Sequence, residues 1–181
     1  MLLSYSVSES DYLNYQLYIA SKSPQIAKKR RRVRVVVPVA YVIMAMYGYF
    51  KENYTMAIAF AVVAILWWLL YPLRDRRIYV NHYKRFIQEN LKTAVKGNVT
   101  LDISAAFFVA RDGENESKIS TAELAAINET GELFLIRLKT AQTFILPKSA
   151  FSTTEEIERF LKDLAWKQHV PYTSELNWKW A

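Results

Sequence analysis

The chain has 181 residues, 52% of them apolar, with 24 lysines and arginines against 17 acidic residues and no cysteine. That length suits one modest domain plus a membrane anchor, and the lack of cysteine excludes a disulfide framework and thiolate chemistry. The +7 net charge is concentrated, with +7 in residues 22–34, +5 in residues 74–97 and −3 in residues 98–181, which argues against a nucleic-acid-binding face on the C-terminal part.

Residues 2–7 alternate apolar and polar and predict a strand. Ser8 and Asp11 have the spacing of a capping box, opening a helix to about residue 21 with Leu13, Leu17 and Ala20 on one face. Nothing in MLLSYSVSESDYL resembles the basic n-region of a secretory signal. Ser23-Pro24 interrupts the helix, and a second helical stretch passes through the basic run Lys28 to Arg34.

Two charge-free runs follow, residues 35–50 and 53–73. A helix needs roughly 20 apolar residues to cross ~30 Å of hydrocarbon. The second run meets that length, and the first is extended by snorkelling of Arg34 and Lys51. Only Lys51 and Glu52 carry charge between the runs, so the helices are expected to be antiparallel neighbours. Basic residues on both outer flanks predict both chain ends on the cytoplasmic side. Tyr47, Tyr49, Phe50 and Tyr54 at the turn, and Trp67, Trp68 and Tyr71 at the far end, read as two interfacial belts. Pro38 either occupies a first turn or kinks the helix. Ala57, Ala61 and Ala64 predict a small-residue face that meets Ala45 and Gly48. The competing reading is a hydrophobic hairpin buried in a soluble protein.

Residues 78–96 read as a helix continuing from the second run, with Tyr83, Phe86, Ile87, Leu91, Ala94 and Val95 at helical spacing. Gly97-Asn98 ends it. From Val99 the period changes to two. Residues 99–103, 106–110, 124–127, 133–138 and 143–146 are expected strands, with turns at Asp112-Gly113 and across Asn128 to Gly131. Thr153 and Glu156 suggest a second capping box, opening a helix whose stripe is Ile157, Phe160, Leu161, Leu164 and Ala165. The expected fold is a membrane α-helical hairpin plus a small α+β cytoplasmic domain. That domain has an antiparallel sheet and a C-terminal helix in a pleckstrin-homology-like layout. The expected segments are 1–34 (strand, helix and basic segment), 35–73 (hairpin), 74–97 (basic juxtamembrane helix) and 98–181 (domain).

The stretch LAAINET, a strand, FILPKSAF and a capped helix resembles the YcxB-like family of bacterial membrane proteins, and the resemblance runs along nearly the whole chain. The family's apolar-Pro-Lys stretch is matched by Leu146, Pro147, Lys148 and Phe151, and its acidic residue after the central strand by Glu129. Thr121 stands where the family has an aromatic. The resemblance implies a bacterial inner (plasma) membrane protein and little chemistry.

His82 and His169 lie in different segments without the clustering that a metal site requires. His82 is expected at the interface beside Tyr83, and His169 at a helix C-terminus where its charge suits the dipole. Glu155, Glu156 and Glu158 are explained as dipole partners at a helix start. No catalytic residue, cofactor site or metal site is expected. The candidate anionic-lipid contacts are Lys28, Lys29, Arg30, Arg31, Arg32, Arg34, Arg74, Arg76 and Arg77. In the tail, Trp178 and Trp180 are expected to pack on the domain, with insertion into the interface as the alternative. These features point to a membrane-anchored, non-enzymatic interaction or scaffold protein. Its expected partners are the bilayer and a protein or a second copy. The alternative is a sensor of anionic headgroups or a small ligand.

Overall fold

The computed structural model describes residues 1–90, 98–104, 106–112 and 115–180. The expectations placed on Leu91, Lys92, Ala94, Val95, Lys96, Gly97 and Gly113 lie outside them. The chain divides into two compact units, one of Met1–Gln16 with Lys84–Lys179 and one of Leu17–Tyr83 with Trp180. Helix α1 (Glu9–Lys22) and helix α3 (Tyr54–Asn90) each cross that division.

The helical unit is built on α2 (Pro24–Phe50) and α3. Ser23 caps α2, with Pro24 in its first turn, where a missing N–H costs nothing. Both helices are long and apolar enough to cross a membrane, and only 11% and 6% of their most apolar windows are buried. Pro38 lies in the interior of α2, not in its first turn, and Pro72 lies inside α3. Neither ring can donate to the carbonyl four residues earlier, those of Arg34 and Trp68.

Three residues connect the two helices. The amides of Glu52 and Asn53 donate to the carbonyls of Tyr49 (3.0 Å) and Gly48 (2.9 Å), with Glu52 at φ 57°. This is a Schellman ending without glycine at its left-handed position. Asn53 then caps α3, its Oδ1 accepting from the Met56 amide at 3.0 Å. Gly48 is buried against Ala57, whose backbone N would lie 3.0 Å from an added Cβ. Ala64 is also buried, but Ala61 is exposed. The contact face instead takes Phe60, which stacks on Tyr41 at 6.1 Å, because the helical repeat alternates steps of three and four.

The β unit holds two four-stranded sheets. The first runs in the order β1 (Leu2–Ser6), β2 (Asn98–Ile103), β3 (Phe107–Asp112), β4 (Asn115–Ser120), antiparallel throughout. Ser6 pairs with Asn98, so the N-terminal strand is an edge of this sheet, not part of a separate N-terminal segment. Strand β4, which is not among the strands expected from sequence, is exposed over most of its length. The second sheet has the order β7 (Thr143–Pro147), β6 (Leu133–Leu138), β5 (Leu124–Thr130), β8 (Tyr172–Glu175). Strand β8 joins β5 in parallel. Strand β5 continues through Asn128, Glu129 and Thr130, so the β5–β6 turn is Gly131-Glu132.

Strand β6 buries five of its six residues, as a central strand covered on both faces does. Phe108 and Phe144 meet at 5.7 Å. Helix α4 (Thr154–Lys167) contributes Ile157, Leu161, Leu164 and Ala165 to the core. Thr153 is its N-cap by position, but its side chain makes no capping bond. Its ψ of 73° departs from the extended geometry that aims a cap oxygen at the first turn. The box at Ser8 does form, with the Ser8 amide on Asp11 Oδ2 at 2.9 Å and the Asp11 amide on Ser8 Oγ at 3.2 Å.

Candidate functional site

Two polar clusters are built into the interior, one in each unit. In the helical unit Asp75 is 5% exposed. Its Oδ2 receives Arg30 Nε and its Oδ1 receives the Tyr71 hydroxyl at 3.3 Å. The pairing follows from the turn. Arg30 and Asp75 each lie eighteen residues further from the turn than Gly48 and Ala57, which are in contact. Eighteen residues are five turns of 3.6, so the same faces meet again there. A carboxylate in that position needs a counter-charge, and α2 provides it.

Among the candidate lipid contacts Arg30 is thus the one paired with Asp75, while it also lines two basic cavities. Its guanidinium is turned inward, 4.7 Å from the Trp180 ring and 5.9 Å from that of Tyr79. Trp180 is buried and lies 5.4 Å from Tyr79. The tail tryptophan thus packs in the helical unit, where a cation and an aromatic ring receive it, and not on the β domain. His82 lies beside Tyr83 at 5.3 Å, as expected.

Lys28, Lys29, Arg31, Arg32, Arg34, Arg74, Arg76 and Arg77 are all exposed. Lys29 and Arg74 line a cavity of about 440 Å³ together with Tyr71, Asp75, Tyr79 and His82. Arg31 and Arg34 line a second, of about 300 Å³. Lys28, Arg32, Arg76 and Arg77 line neither. Two of the cations rest on indoles, Arg34 on Trp68 at 4.7 Å and Arg74 on Trp67 at 5.2 Å. Stacking occupies the face of a guanidinium and leaves its edge N–H groups for a bidentate anion. Periodicity alone did not separate the inward Arg30 from its outward neighbours. The lone acid in Arg74-Asp75-Arg76-Arg77 was the available signal.

In the β unit the buried acid is Glu129, 2% exposed. It accepts from Lys148 Nζ at 2.7 Å, Ser174 Oγ at 2.8 Å and the Tyr172 hydroxyl at 3.0 Å. Burial opposes its ionisation. The three hydrogen bonds and the Lys148 charge outweigh burial and hold the carboxyl below its usual range. Tyr172 is pushed well above the ordinary tyrosine range by burial and by its bond to Glu129. Lys148 also sits 4.6 Å over the Phe134 ring. The cluster ties β8 and the turn after β7 to β5. Three side chains donate to the one carboxylate, which is the arrangement of a clasp. The two residues singled out as separate motif positions, Glu129 and Lys148, are therefore partners.

His169 occupies the residue after the α4 cap at φ 52°. Its amide donates to Trp166 O and the Val170 amide to Ala165 O, a second Schellman ending. Among the described residues no group of three or more His, Asp or Glu side chains is arranged to hold a metal ion.

The chain matches no curated protein and no solved structure. Residues 103–162 match the family model described as YcxB-like protein. That span, about one third of the chain, contains Glu129, Pro147 and Lys148, and it is similar to the family that the sequence resembles.

Proposed function

We propose that the protein is a two-span bacterial inner (plasma) membrane protein with both chain ends cytoplasmic, and that its β domain is a non-enzymatic interaction module. The pairing of Ser6 with Asn98 carries the reading. The chain leaves the sheet at β1, makes the helical hairpin and returns to the same sheet at β2. Its departure and return therefore share one side of any bilayer, which requires an even number of crossings. Exposure of the apolar faces of α2 and α3 favours lipid over a protein interior as their solvent. The basic flanks assign that side to the cytoplasm. A sheet in the order β1-β2-β3-β4, a three-stranded meander of β5, β6 and β7 and a closing helix support a pleckstrin-homology-like layout as the reading, with β8 as an addition.

An interaction role is supported by Trp166, 75% exposed on α4 opposite its buried stripe. Exposed tryptophans are frequent anchors of interfaces. The chain has no cysteine, so single cysteines report topology cleanly. An impermeant maleimide should label Glu52→Cys in intact cells and Glu116→Cys only after permeabilisation; the reverse pattern defeats the topology. Native mass spectrometry from mild detergent should show a stoichiometric partner or a second copy, weakened by Trp166→Ala. A lone monomer under every extraction condition defeats the interaction role. The lined basic cavities favour a second reading, recognition of anionic lipid headgroups.

A further inference from the structure

We propose that one face of the helix pair holds a single anionic phospholipid, resting on the membrane reading above and giving its headgroup arm a defined site. Arg31 and Arg34 would bind the phosphate, and an acyl chain would lie in the groove beneath them. Two cavities of opposite chemistry carry this. The basic one, about 300 Å³, is lined by Ala27, Arg30, Arg31, Arg34, Tyr71 and Pro72. A wholly apolar one, about 270 Å³, is lined by Pro38, Val42, Ala64, Ile65, Trp68 and Leu69.

They share a face. On α2 the lining residues 27, 31, 34, 38 and 42 step by three or four, and on α3 Trp68 precedes Pro72 by four. Each step is about one helical turn. The apolar cavity lies within the charge-free runs and the basic one at their flank, the order of chain and phosphate in a leaflet. At the junction Arg34 stacks on Trp68, which holds the guanidinium face against the groove and leaves its edge for phosphate. The occupant must therefore be anionic and carry a chain. The other basic cavity includes the buried acid Asp75 and is less suited to an anion.

The test is lipid titration of the full-length protein in mild detergent, read by native mass spectrometry. Phosphatidylglycerol should bind as one retained molecule, about tenfold or more tightly than phosphatidylcholine. Arg31→Gln with Arg34→Gln should remove that preference. Val42→Trp and, from the other helix, Ile65→Trp leave the charge unchanged and should weaken both lipids. Inorganic phosphate should not compete. Circular dichroism should match wild type, so that lost binding is not lost folding. The proposal is overturned if Arg76→Gln with Arg77→Gln costs as much as the Arg31/Arg34 pair, which would mean a diffuse field. It is also overturned if both tryptophan variants bind as wild type does, or if phosphate displaces the lipid. Extraction of the wild-type protein by alkaline carbonate would instead defeat the membrane reading itself.

Discussion

Among the described residues the helical unit and the β unit each bury one carboxylate against one cation, but they satisfy it differently. Glu129 receives three donors from two places in the chain, β8 and the turn after β7, and its lysine is 17% exposed. Asp75 receives an arginine and a tyrosine, and its arginine is 27% exposed. A carboxylate inside a packed domain must have its lone pairs filled by protein, because water is excluded. At the end of the helix pair the arginine stays partly exposed, so solvent can make up the shortfall. The β-unit pair is a structural clasp, and the helical pair sets register.

The largest expected effect tests the clasp. Glu129→Ala should destabilise the β unit by about 3 kcal/mol, by stranding Lys148 and two hydroxyls. Pairing the change with Lys148→Met should recover most of that loss in thermal melts. If the double variant is as unstable as the single one, the stranded charge is not the cause. The same clasp predicts acid sensitivity. An unfolded glutamate titrates near ~4.3, and the native carboxyl lies lower. The native state therefore binds fewer protons, and the stabilisation is complete above about pH 5 and is lost as pH falls through the native value. Glu129→Gln should flatten that part of the pH–stability curve.

Next in size is the close approach of the helices. Gly48→Leu should cost about 2 kcal/mol by forcing Cβ onto the Ala57 backbone. It is measurable as a lower melting point in detergent with the β unit unaffected. Asp75→Asn should cost less, about 1 kcal/mol, because Arg30 retains its rings and can reach solvent. A loss matching that of Glu129→Ala would erase the distinction between the two sites. The smallest effect is a gain. His169 holds a left-handed conformation that glycine adopts freely, so His169→Gly should stabilise by about 0.5–1 kcal/mol.

What the sequence disclosed differs between the units for the same reason. The hairpin was legible from charge-free runs, basic flanks and a short turn, all of which are local. The β unit was legible where strands alternate, as at Val99, Leu101 and Ile103. It was not legible at β4, an exposed edge reading NESKIS, whose pairing requires no apolar face. Nor was β8 legible, since four residues pairing with a strand some 45 positions earlier leave no periodic trace. The Glu129 clasp was hidden likewise, with partners 19, 43 and 45 residues away. The Arg30–Asp75 pair was readable in principle, since the position of the turn fixes which residues face each other.

The pairing of Ser6 with Asn98 also imposes an order in time. Strand β1 leaves the ribosome before β2, with Asn98 92 residues behind Ser6. At about 5–20 residues per second, β1 waits several seconds without a ladder while both long helices are made. An unpaired strand edge is an invitation to wrong partners. The first sheet can close only after the second helix has been delivered, so assembly of the β unit is a readout of whether the hairpin was completed.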